Sequence, residues 1–120
     1  MLEDKRRFSY EELKHLFLNK YEGRKQRQPV KKFSLLPDFE KDRFLEISKA
    51  VKKIFPLAEC YAFGSRVNGN CCDDSDYDVV VRNVPRQCSH ILSHIEKTFG
   101  ADLKFANDRF TESEFFLKIE

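Results

Sequence analysis

Asp76 and Asp78 stand one residue apart at the head of a run of three valines, Val79 to Val81. On an extended chain, residues two apart point to the same face. Their carboxylates would therefore project side by side, with α-carbons about 6.5–7 Å apart. Bare carboxylates held that close repel each other. A divalent cation removes the repulsion, and hard oxygen donors suit Mg²⁺. Two such ions, about 3.5–4 Å apart, can hold the attacking and leaving oxygens of a phosphoryl transfer. A third carboxylate from a neighbouring strand would complete the set. Asp102, near the start of "ADLKF", is the candidate.

A second group of residues suits the other end of such a substrate. Gly64 closes the apolar stretch "AECYAF" and, having no side chain, lets another group approach the backbone. Ser65 can cap a short helical turn through Arg66 and Val67, and the N–H groups at a helix start bind anions. Its hydroxyl adds a donor, and Arg66 adds a positive charge. Asn68-Gly69-Asn70 then turns the chain back toward the aspartates. A phosphate cradle followed by a metal site describes a nucleoside triphosphate with its magnesium. Taken singly, Asp-x-Asp occurs on many surface strands and Gly-Ser marks many ordinary turns. The joint spacing, with Asp102 on a following strand, is what points to a site.

The whole stretch, "GSRVNGNCCDDSDYDVVV", resembles the signature of the DNA polymerase beta-like nucleotidyltransferase superfamily: Gly-Ser, a spacer (here the ten residues Arg66 to Ser75), then Asp-x-Asp on a strand. The Ser-Asp-Tyr-Asp-Val wording is most similar to the minimal nucleotidyltransferases, many of them antitoxins encoded beside HEPN-domain toxins. The resemblance spans about Lys49 to Phe105. It implies metal-dependent transfer of a nucleoside monophosphate, usually AMP from ATP, to an acceptor hydroxyl, with pyrophosphate leaving. Gly64 and Ser65 would hold the triphosphate, with Arg66 beside them. Asp76 and Asp78 would bind two magnesium ions, and Asp102 would complete the set and help deprotonate the acceptor. The resemblance to antitoxins favours a partner protein as acceptor, over a transfer RNA end or a small molecule. Two rival readings stay open: a non-catalytic nucleotide- or partner-binding module with the same fold, and an antitoxin that acts only by burying its toxin's active site.

The elements that must position these residues follow from pattern. Ser9 with Glu12 reads as a capping box opening a helix to about Tyr21, with Leu13, Leu16, Phe17 and Tyr21 as its apolar stripe and Gly23 as its stop. Pro37-Asp38 opens a second helix, capped by Asp38, whose face is Phe44, Ile47, Val51, Ile54 and Phe55. A strand ending at Gly64 and a strand over 76–81 come next. A helix after Pro85 with Ile91, Leu92 and Ile95 on one side, closed by Gly100, precedes a strand over 101–105. The tail "TESEFFLKIE" suits either a capped helix, on Thr111 and Glu114, or a strand on "FFLKI". The expected fold is a small mixed β-sheet flanked by helices, an α/β (α+β) nucleotidyltransferase-like domain over 37–120. Residues 1–36 would add an N-terminal helix and a basic linker.

Bulk properties bound the function. A chain of 120 residues with 41% apolar and 35% charged residues suits one globular core. A net charge of +2 does not announce a nucleic-acid binder, no apolar run reaches membrane-spanning length, and "MLEDKRRFSY" is not a signal peptide, so cytoplasmic location is expected. The run "RKQRQPVKK", Arg24 to Lys32, reads as a solvated linker or as a contact for phosphate backbone or an acidic partner. Cys60, Cys71, Cys72 and Cys88 lack zinc-site spacing and are expected to be reduced. His90 and His94 share a helix face without the glutamate of a zinc protease motif, which points to a solvated face. Asp73 and Asp74 read as a polar turn. Phe39, Phe44, Phe55, Phe63, Phe99 and Phe105 are expected in the core. Phe110, Phe115 and Phe116 suit either the core or a partner patch.

Overall fold

The computed structural model describes residues 7–20, 28–69, 76–84, 89–107, 110, 112–113 and 115–119, with only the backbone for 16–20 and 89. Gly23, the first half of the basic run, the Cys71–Ser75 turn, Pro85, Cys88, Thr111 and Glu114 lie outside the described residues. Five strands form one sheet: β1 (Arg7–Phe8), β2 (Glu59–Phe63), β3 (Tyr77–Arg82), β4 (Ala101–Ala106) and β5 (Leu117–Lys118). Their order is β1-β4-β3-β2-β5. β4 runs parallel to both β1 and β3, while β2 is antiparallel to β3 and β5. The helices are α1 (Tyr10–Lys20), α2 (Asp38–Ile54), the single turn α3 (Ser65–Asn68) and α4 (Ser89–Phe99), with a 3₁₀ turn at Phe33–Leu35. The mixed α/β fold expected from the sequence is the one observed, and the tail is a strand where "FFLKI" suggested one.

Two layers bury the two faces of the sheet. On one face, Phe44, Ile47 and Val51 of α2 and Leu92 and Ile95 of α4 pack against Val79, Val81, Leu103 and Phe105. On the other, Leu13 of α1 joins Phe110 and Phe116 over Tyr61, Phe63, Val80 and Ala106. The alternation of β3 and β4 feeds both, because successive side chains take opposite faces. Phe110 and Phe116 are therefore core residues, their rings 5.0 Å apart in an edge-on contact.

The start of α1 has the reciprocal bonds of a capping box. The Glu12 N–H donates to Ser9 Oγ and the Ser9 N–H to Glu12 Oε1, each at 3.2 Å. α2 begins differently from expectation. Pro37 takes the cap position and Asp38 is the first helical residue, with no side-chain cap bond; its carboxylate instead pairs with Lys41 at 3.3 Å. Proline is suited to a helix start because its N–H is not needed there. Phe39 is 64% exposed and Ile54 40% exposed, so neither joins the core. Phe39 falls about 140° round the helix from Phe44, and Ile54 is the last residue of α2. Gly100, at φ +64°, ends α4 as expected.

Candidate active site

Antiparallel pairing of β2 with β3 sets Phe63 opposite Asp78, so the residue after Phe63 meets the Asp78 side chain. That residue is Gly64, at φ +88°. A β-carbon there would lie 2.7 Å from Asp78 Cγ and 2.8 Å from Asp78 Cβ, closer than real contacts allow. The glycine of Gly-Ser and the second aspartate of Asp-x-Asp are thus in direct contact. Gly64 is required twice over, by its left-handed backbone and by the carboxylate seated on it.

Gly64 also takes the cap position of α3. Ser65 is the first helical residue rather than the cap, and is buried. The turn closes on Gly64: its carbonyl accepts from the N–H groups of Val67 at 3.1 Å and Asn68 at 2.9 Å. In such a turn the amides of Ser65 and Arg66 precede the internal bonds and face outward. Gly69, in the left-handed region at φ +95°, ends it.

Parallel pairing of β3 with β4 places Asp78 directly beside Asp102. Both share the sheet face of Phe63 and Val80, since cross-strand neighbours in register point the same way. Asp78 is 2% exposed. The Asp102 side chain is 24% exposed and lies 3.5 Å from Lys104 Nζ, two residues along the same face. Asp76 precedes the strand by one residue and is exposed. Among the described residues, no three Asp, Glu, His or Cys side chains are gathered closely enough to hold a metal ion. The structure therefore joins Gly64, Ser65, Asp78 and Asp102, and sets Asp76 at the mouth of the strand. His90 and His94 are both exposed, on the outer side of α4.

Arg66 does something else. Its Nη1 donates to Glu40 Oε2 at 2.6 Å, with both side chains buried, and its guanidinium lies 4.0 Å from the centre of the Tyr77 ring. Tyr77 sits between the two aspartates and faces the opposite side of the sheet, where its ring meets Phe44 edge-on at 5.0 Å. One arginine thus ties the turn after Gly64 to the strand of Asp78 and to α2. Glu40 was not singled out in the sequence, although a signal was present. It lies four residues before Phe44, on the Phe44-Ile47-Val51 stripe, which places a carboxylate on the buried side of the helix.

Cys60 is buried and free, with its thiol pushed up to about 11 by burial, against smaller lowering effects of the Ser48 hydroxyl and the Lys52 charge. Burial also raises the Tyr61 phenol, assisted by the Glu59 carboxylate.

Residues 45–98 match the family model of a nucleotidyltransferase domain. The matched stretch holds Gly64, Ser65, Asp76 and Asp78 and stops before Asp102. It supports the resemblance to the polymerase beta-like superfamily. Neither the curated proteins nor the solved structures gave a match.

Proposed function

With a nucleotidyltransferase domain matched over residues 45–98, we propose that this protein transfers a nucleoside monophosphate, AMP in the first instance, from a nucleoside triphosphate to an acceptor hydroxyl. The observation that carries the proposal is the seat of the Asp78 carboxylate on the Gly64 backbone, with Asp102 in register beside it. The turn that would hold the phosphates and a pair of carboxylates share one corner of the sheet.

In this reading the Ser65 hydroxyl and the first amides of α3 hold the triphosphate. The acceptor oxygen attacks the α-phosphorus, the bond from that phosphorus to the oxygen bridging to the β-phosphate breaks, and pyrophosphate leaves with the electron pair. Asp102, the more exposed of the two paired carboxylates, takes the acceptor's proton. Asp78 and Asp102 fit a hard cation, being all-oxygen donors side by side; Asp76, at the mouth of the strand and not gathered with them, would have to swing in to complete a site for two magnesium ions. Magnesium would neutralise the developing charge on the transferred phosphoryl group. Arg66 acts as a positioning residue, its charge matched by Glu40. We take the acceptor to be a hydroxyl on a partner protein, and a toxin–antitoxin pair is the setting that the resemblance suggests.

Incubation with α-labelled ATP, magnesium and co-purifying proteins tests this. Label transfer with pyrophosphate release is expected, abolished by EDTA and restored by Mg²⁺. Asp78→Ala and Asp102→Ala should each lower transfer by on the order of 10²–10³-fold, and Asp76→Ala should also lower it. Undiminished transfer in Asp78→Ala would move the chemistry away from this corner. Tight ATP binding without pyrophosphate release, whatever acceptor is present, would make the protein a binding module instead.

A further inference from the structure

A cavity of about 570 Å³ opens at the β5 edge of the sheet, and neither Asp78 nor Asp102 lines it. Four lysines line it from three parts of the chain: Lys31 and Lys32 before the 3₁₀ turn, Lys41 in α2, and Lys118 in β5. Lys41 pairs with Asp38 at 3.3 Å and Lys118 approaches Glu59 at 3.6 Å, so part of their charge is matched locally. Among the described residues, Lys31 and Lys32 have no carboxylate partner. Glu112 is the acidic residue on the rim. The cavity therefore carries a net positive field, concentrated on the Lys31–Lys32 side.

Its lining also has apolar surface. Phe33 and Leu45, both half-buried, and Leu117 contribute to it. Lysines on the same lining as an aromatic ring and aliphatic carbons match a ligand with one polyanionic end and one flat apolar end. The volume falls in the range of small-ligand pockets, about 300–1,000 Å³. A phosphate accepts from more than one ammonium group at once, which suits the neighbouring pair Lys31 and Lys32, left without a carboxylate among the described residues. The carboxylates of an acidic peptide are spread along an extended chain and suit it less. The segment is anchored to the turn of the candidate active site, because the Val30 N–H, immediately before Lys31, donates to the Val67 carbonyl of α3 at 2.7 Å.

We propose that this cavity is a second phosphate site that takes a nucleotide unit, its phosphate on Lys31 and Lys32 and its base or ribose against Phe33, Leu45 and Leu117. The unit can come from a free mononucleotide or from a single-stranded nucleic acid. The proposal does not rest on the transfer reaction.

Binding of a fluorescent AMP analogue and of a labelled ten-nucleotide single strand, measured by anisotropy in EDTA, tests it on the full chain. The wild type is compared with Lys31→Glu/Lys32→Glu, and with Lys31→Ala/Lys32→Ala in case charge reversal perturbs folding; circular dichroism checks the fold. Both variants should lose roughly tenfold or more in affinity, and against log salt the strand's log affinity should fall less steeply, by about 1.4, for two lost phosphate contacts. Comparable affinities for the two probes would identify a mononucleotide site, and much tighter binding of the strand a nucleic-acid site; either supports the proposal. Unchanged affinity in both variants would overturn it, as would equal competition by adenosine or by an acidic peptide. Asp78→Asn should keep this binding even if it abolishes transfer, which separates the two readings.

Discussion

At the scale of single residues, the contact between Gly64 and Asp78 is the most constrained feature of the site. A β-carbon at 64 would lie 2.7 Å from Asp78 Cγ while the backbone sits at φ +88°. Gly64→Ala should therefore destabilise the protein by about 1–3 kcal/mol, seen as a lower urea midpoint, and displace the carboxylate. A wild-type midpoint would mean that the corner is looser than it looks. Cys60 permits a prediction in pH. Its folded pKa, about 11, lies above its ordinary value of 9.0, so the folded state holds the proton more tightly. The stabilisation is complete below pH 9.0 and is lost as pH rises through about 11. Over that window the wild type should lose on the order of 3 kcal/mol that Cys60→Ala does not lose. Parallel stability curves for the two proteins would contradict this.

At the scale of elements, the buried ion pair between Glu40 and Arg66 joins α2, α3 and β3. Removing one partner leaves an uncompensated buried charge, so Glu40→Leu should cost about 3–5 kcal/mol, whereas Glu40→Leu combined with Arg66→Met should cost far less. Chemical denaturation of the three variants gives this cycle directly, and additive costs would show that the pair is not coupled. The double variant has a further use. If Arg66 positions the Gly64–Ser65 turn, nucleotide transfer should fall more than stability does. The start of α1 provides a milder test. Ser9→Ala removes one half of the capping box and should cost about 1 kcal/mol.

At the scale of the whole molecule, the sheet is buried on both faces. The α2–α4 layer covers one, and α1 with Phe110 and Phe116 covers the other, the same face that carries Asp78 and Asp102. Phe116→Ala, at the centre of the second layer, should cost about 3–5 kcal/mol, measurable by thermal or urea unfolding. A near-neutral effect would show that this layer adds little to stability. Among the described residues, no helix is long and apolar enough to cross a membrane.

Much of this was legible in the residues alone. Helical spacing in "FLEISKAV" and alternation around "DYDVVV" report local periodicities, and the pairing of an aspartate strand with "ADLKF" follows from a helical crossover between parallel neighbours. Other features needed the tertiary structure. Phe39 has the composition of a core residue, yet its angle around α2 leaves it in solvent. Arg66 reads from the sequence as a phosphate contact beside Gly64-Ser65, yet Glu40, twenty-six positions away, takes its charge. The contact of Gly64 with Asp78 depends on strand register. The lysines of the edge cavity come from three segments that only folding brings together. Local pattern specifies elements because it acts over one or two turns of chain; which charges meet is decided by contacts between residues far apart in sequence.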